Sequence, residues 1–95
     1  MKARAIYGSP LLSMPQPEYP PAAKGRGIQG KVVVLLLVNV RSGLVEQACV
    51  VEGDEAFTSS AKDAGLRVKF KPYSSYIQNN YSYAEEIVTY NFLAQ

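Results

Sequence analysis

The sequence predicts an α+β domain of order β-β-α-β: a three-stranded antiparallel sheet of spatial order 2-1-3 with one helix packed on one face. Three features carry that prediction. Residues 31–40 read KVVVLLLVNV, a run of β-branched and aliphatic side chains too short for a typical helix. Phe57, Ala61, Ala64 and Val68 recur at helical spacing and form one thin apolar stripe. Near the end of the chain Val88, Tyr90 and Phe92 alternate with Thr89 and Asn91, as a strand with one buried face requires.

Taken in order, residues 1–14 are expected to be a Pro-containing linker remnant and 15–95 the folded domain. Pro10, Pro15, Pro17, Pro20 and Pro21 each fix φ and remove a backbone donor, so extended or polyproline-like structure is expected up to Tyr19. Pro21-Ala22-Ala23-Lys24 is predicted to make one helical turn, with Pro where its missing N–H costs nothing and with Gly25 and Gly27 ending it. Lys31–Val40 then forms the first strand, Arg41-Ser42-Gly43 a turn, and Leu44–Val51 a second strand paired with the first as a hairpin. Asp54 is placed to cap a helix beginning near Glu55, where its charge suits the dipole. Phe70-Lys71-Pro72 is expected to stop that helix, residues 73–82 to form a loop rich in Tyr, Ser and Asn, and a last strand to run from about Tyr83 to Leu93. If this strand pairs with the first, every pairing is antiparallel and the most apolar strand is central.

Bulk composition excludes more than it assigns. The 95 residues suit one domain, and a chain that is 47% hydrophobic with 7 Tyr and 3 Phe is not of disordered type. A net charge of +2 is too small to imply nucleic acid or an anionic membrane. The single cysteine forms no internal disulfide, and the lack of histidine removes the commonest general base and transition-metal ligand. The longest apolar run, Val32–Val38, falls far short of the roughly 20 residues that cross a bilayer as a helix. Lys2 and Arg4 are followed by no apolar segment of signal-peptide type.

The catalytic signals are weak. Ser59-Ser60-Ala61-Lys62 matches S-x-x-K, but the companion motifs S-D-N and K-T-G are missing and a chain this short cannot enclose that active site. Cys49 lies within a strand with no His to activate it, so a buried structural role is expected. Glu52, Asp54, Glu55, Glu85 and Glu86 lack Ca²⁺-loop spacing, and Asn80-Tyr81-Ser82 is a sequon only in a glycosylating source. No catalytic residue, cofactor or metal ligand is expected, and the chain is read as a non-enzyme. Arg67, Lys69 and Lys71 lie beside Tyr73 and Tyr76, a pattern onto which bases stack in basic grooves. The bland reading, a solvated helix end with cations where the dipole favours them, is preferred, so nucleic acid is not an expected partner.

The strongest pattern is an ordered set. Gln16-Pro17-Glu18-Tyr19-Pro20, then Ala22-Ala23, then Ile28-Gln29-Gly30-Lys31-Val32 resembles the opening of TonB C-terminal domains: P-x-Y-P, an alanine-bearing turn, and G-x-V into the first strand. The resemblance continues through Gly43-Leu44-Val45, Val50-Val51, Lys69-Phe70-Lys71-Pro72 (similar to R-[FY]-x-P) and Val88-Thr89-Tyr90-Asn91-Phe92, covering about residues 15–93. Each piece alone is cheap, and the order and spacing make the set specific.

This resemblance implies a periplasmic, protein-binding domain of an inner-membrane-anchored energy transducer. Such proteins couple the proton-motive force to uptake by gripping the TonB box of outer-membrane transporters through β-strand addition. Inner-membrane motor partners would be reached through an N-terminal region outside this sequence. The physics agrees: order 2-1-3 leaves the last strand with a free edge of N–H and C=O groups that accepts an extended peptide. Glu86, Ile87, Val88, Thr89, Tyr90, Asn91 and Phe92 are the candidate edge, with Gln16 and Pro17 as a second contact implied by the family pattern. The turn at Arg41-Ser42-Gly43 is about one residue longer than the family's, and Val33, Leu35 and Leu37 stand where the family often has polar side chains. Burying those three would contribute very roughly 5–8 kcal/mol, so a cover is expected. A homodimer or strand-exchanged pair is one candidate; the proline segment or the Tyr-rich loop is the other. The alternative functions are a stand-alone periplasmic adaptor of the same fold binding another peptide and, behind it, a small nucleic-acid-binding domain.

Overall fold

The computed structural model describes residues 2–5 and 11–93. The chain is α+β with antiparallel pairing throughout. It runs β1 (Lys2–Ala5), β2 (Leu11–Ser13), α1 (Pro21–Gly25), β3 (Gly30–Asn39), β4 (Val45–Glu52), a 3₁₀ turn (Glu55–Phe57), α2 (Thr58–Leu66), β5 (Lys69–Phe70), α3 (Ser75–Asn80) and β6 (Tyr83–Phe92).

The main sheet has four strands in the order β1-β6-β3-β4, and β2 pairs with β5 in a small second sheet. The architecture therefore exceeds the predicted three strands and one helix. β4, β3 and β6 stand for the predicted strands, while β1, β2, β5 and α3 were not foreseen. Part of the stretch expected to be linker is thus strand. Lys2–Ala5 lies in register with Glu86–Thr89, and Leu11 pairs with Phe70.

β3 is interior to the sheet, as is β6: it buries one face and pairs along both edges. Its ten residues match β6 rung for rung, from Gly30 opposite Phe92 to Asn39 opposite Tyr83. Val32, Val34, Leu36, Val38 and Val40 are fully buried, while Val33, Leu35 and Leu37 on the other face are half-buried. The turn into β4 is built by Asn39, whose Oδ1 accepts from the amides of Arg41 (2.9 Å) and Ser42 (3.2 Å). Gly43 completes it with φ +76°. A Cβ there would stand 1.9 Å from the Phe70 carbonyl oxygen, so only glycine fits.

Asp54 caps the helical segment as expected, accepting from the Ala56 amide at 2.8 Å. Phe57, Ala61, Ala64 and Val68 all lie in the core, with Phe57 contributed by the 3₁₀ turn and Val68 from beyond the helix end. Gly65 lets α2 approach β3 closely: a Cβ would sit 3.0 Å from Leu36 Cδ2. The helix ends at Leu66, short of the expected stop at Phe70. Lys69 and Phe70 are drawn into β5 by pairing with β2, and the Phe70 amide donates to the Gly43 carbonyl at 2.9 Å. The predicted loop at 73–82 contains α3, capped by the Ser74 hydroxyl and anchored by buried Ile77.

Candidate partner-binding edge

β6 assembles the candidate site, and its pleat divides the predicted residues into two sets. Successive side chains of a strand point to opposite faces. Ala84, Glu86, Val88, Tyr90 and Phe92 are buried; Tyr83, Glu85, Ile87 and Asn91 are exposed, and Thr89 is half-buried. Of the seven residues predicted on this edge, Glu86, Val88, Tyr90 and Phe92 therefore offer an incoming strand only their backbone. Ile87, Thr89 and Asn91 offer side chains as well, and Glu85, which sequence reasoning passed over, joins them. The parity that places Val88, Tyr90 and Phe92 inside also places Glu86 there, so the signal was present.

Glu86 is 1% exposed and accepts a hydrogen bond from the Tyr73 hydroxyl. A buried carboxyl group needs such a partner, and the bond ties β6 to the segment that carries Tyr73. Tyr90 is fully buried, and among the described residues its hydroxyl has no hydrogen-bond partner. Burial pushes its pKa up to about 12, with the Arg67 charge pulling the other way.

The outer side of β6 is not bare along its whole length. β1 occupies it from Glu86 to Thr89, with Lys2 opposite Thr89 and Ala5 opposite Glu86. The described register stops there, and Tyr90–Phe92 lie beyond it.

The second predicted contact converges on that far end. Gln16, Pro17 and Tyr19 line one hollow together with Asn91, Phe92 and Leu93. Tyr19 holds its segment in place. Its ring meets Phe57 and Phe92 edge-on, with centroids 5.7 and 5.8 Å apart, while Phe57 and Phe92 stack at 4.2 Å. The Tyr19 hydroxyl donates to the Ile28 carbonyl, and the Ser60 hydroxyl donates to the Glu18 carbonyl. Gln16 is left exposed at the mouth of the hollow.

Val33, Leu35 and Leu37 face away from α2. Leu35 stands between Ile87 on β6 and Cys49 on β4, and Leu37 between Glu85 and Gln47. Met14 and Tyr19 of the proline segment pack against the core, and the Tyr-rich segment puts Tyr73 and Ile77 there while leaving Tyr76 and Tyr81 exposed. Cys49 shares this outer face and is exposed, which corrects the expectation of a buried thiol. Its neighbour Ala48 takes the inward position.

The competing motifs fare as follows. Arg67 is paired with Asp63 at 3.2 Å, and Tyr73 is buried, so it is not available to stack on a base. Among the described residues no group of three or more His, Cys, Asp or Glu is placed to hold a metal ion, and no helix is long and apolar enough to cross a membrane.

Comparison with known proteins agrees with this architecture. The family model for the C-terminal part of the Gram-negative bacterial TonB protein matches residues 15–92. The solution NMR structure of the Pseudomonas aeruginosa TonB C-terminal domain superposes with a TM-score of 0.66 at 25% identity, covering 90% of this chain and 86% of that one. A comparison with curated proteins gives no match. With the motif set of residues 15–93 and the fold in agreement, the chain belongs to the TonB C-terminal domain family.

Proposed function

We propose that the chain is the partner-gripping domain of a TonB-type energy transducer, binding the TonB box of an outer-membrane transporter as an added strand at the β6 edge. In this reading it works in the periplasm. It couples the proton-motive force to uptake through inner-membrane motor partners reached by a region outside this sequence, and it is not an enzyme.

The observation that carries the reading is the nature of the β6 rim. It borders the core sheet, its inward side chains are fixed by burial, and it already pairs with an antiparallel strand of four residues. A rim of this kind binds through main-chain hydrogen bonds, with alternate side chains setting preference. Glu85, Ile87, Thr89 and Asn91 are the side chains positioned to do so, and Gln16 with Pro17 adds a contact where β6 ends. Each backbone bond contributes only about 0.5–1.5 kcal/mol net, so affinity is expected to be moderate.

The test is a ¹H–¹⁵N NMR titration with synthetic TonB-box peptides. Amide shifts concentrated in residues 84–93 and around Gln16 are expected. Replacing Val88 or Thr89 by Pro should abolish binding in whichever variant loses the outward-pointing N–H, with the fold retained. Shifts confined to other surfaces, or none at millimolar peptide, would overturn the reading.

A further inference from the structure

We propose that Lys2–Ala5 is a resident occupant of the partner-binding edge, and that a partner strand enters by exchanging with it. The proposal rests on the reading of the β6 rim as the partner's seat and adds how that seat is guarded.

Three observations carry it. First, β1 lies in register with Glu86, Ile87, Val88 and Thr89, the middle of the rim that an added strand would use. Second, Lys-Ala-Arg-Ala is a poor strand sequence. None of the four residues is β-branched or aromatic, and Ala and Lys are depleted in strands. It pairs because the sheet edge offers unpaired backbone groups, and a lysine-bearing outer strand is a common way to keep such an edge from joining other chains. A segment richer in Val, Ile or Thr would form the stronger pair. Third, the described pairing ends at Thr89, while Tyr90, Asn91 and Phe92 continue beside the hollow of Gln16, Pro17 and Tyr19. An arriving strand can pair there first and then advance toward Glu86, replacing β1 residue by residue from Lys2 onward. Binding and release then become an exchange of one strand for another, and the sheet keeps four strands throughout.

The apparent affinity for a partner is lowered by the fraction of molecules whose edge is free. The test uses the whole chain in three forms: unaltered; Ala3→Pro/Arg4→Pro, which removes adjacent donors so that one of them is the donor facing β6; and Arg4→Cys/Ile87→Cys in a Cys49→Ser background. In the last, the two cysteines replace register partners. Directly opposite Cα atoms in an antiparallel pair lie about 4.5–5.5 Å apart, within reach of a disulfide.

The first probe is a synthetic peptide of residues 1–8 added in trans, and the second is a TonB-box peptide panel, both read by NMR shifts in residues 84–92. Expected is binding at least about tenfold tighter to the proline form than to the unaltered chain, and none to the oxidised cross-linked form until it is reduced. In the proline form, amide exchange within Glu86–Thr89 should accelerate. If the cross-link does not form and amide exchange is the same in the unaltered and proline forms, β1 does not hold the edge and the proposal falls. If TonB-box peptides bind all three forms equally, the exchange mechanism falls while the proposed function stands. If the residue 1–8 peptide follows the expected order and no TonB-box peptide binds any form, the occupancy of the edge stands and the functional reading falls.

Discussion

Replacing Tyr90 by Phe should stabilise the domain, and the gain should grow with alkalinity. The Tyr90 side chain is fully buried and its hydroxyl lacks a partner among the described residues. A buried polar group left unsatisfied costs about 1–3 kcal/mol. At pH 7 the hydroxyl is neutral, and a gain of about 1 kcal/mol, the low end of that range, is expected, equivalent to roughly 4–8 °C in Tm for a domain of this size. The pH dependence follows from the pKa, which rises from an ordinary value near 10 in the unfolded chain to about 12 in the fold. Between those values the folded state keeps its phenolic proton while the unfolded state loses it. Stability is therefore fully present below pH 10 and falls as pH rises toward 12, by about 3 kcal/mol in total. Phenylalanine has no such arm. The two proteins differ at this residue alone, so the difference between the variants isolates Tyr90. Urea unfolding of both at pH 7, 9, 10 and 11 measures it. A Tyr90→Phe protein that is less stable at pH 7, or a gap that stays flat to pH 11, would refute the reasoning and mean that the hydroxyl has a partner.

Gly43→Ala should destabilise by more than about 2 kcal/mol and lower Tm by roughly 10 °C or more, because φ is +76° and the added Cβ meets the Phe70 carbonyl oxygen at 1.9 Å. Thermal unfolding followed by circular dichroism checks this, and a change below 0.5 kcal/mol would contradict the close approach of β5. Leu36→Ala should cost about 2–5 kcal/mol and Leu35→Ala about 1 kcal/mol or less, since adjacent residues of β3 face the core and the half-buried outer face respectively. A Leu35→Ala cost equal to that of Leu36→Ala, and dependent on protein concentration, would show that a second copy covers Val33, Leu35 and Leu37.

What the sequence made legible was the set of elements whose signal is local and repeated. The apolar run of β3, the stripe from Phe57 to Val68 and the alternation of Val88, Tyr90 and Phe92 each contain several residues agreeing on one period. The elements it concealed depend on partners distant in the chain. Lys2–Ala5 has no strand propensity to detect and is a strand only because β6 presents an edge. β2 and β5 stabilise each other across more than fifty residues, and α3 is too short for a stripe, with Ile77 its one buried residue. Cys49 was misplaced for another reason. The β3–β4 register shifts twice, near Val33/Val34 and near Leu37/Val38, so inward parity cannot be counted along β4 from one end to the other. For β6 the span of the strand was readable but the inward and outward roles of its residues were not separated, as Glu86 illustrates.

The ten uninterrupted rungs between β3 and β6 have a mechanical consequence. A strand seated on the outer side of β6 and pulled along its own axis would load that ladder in shear, so that all the rungs resist together and none can be peeled first. A pull across the strands would instead break them singly. On the proposed reading, the strand nearest the partner is thus the one most firmly riveted to the body of the domain, and the direction of tension, more than its size, would decide whether the grip or the fold gives way.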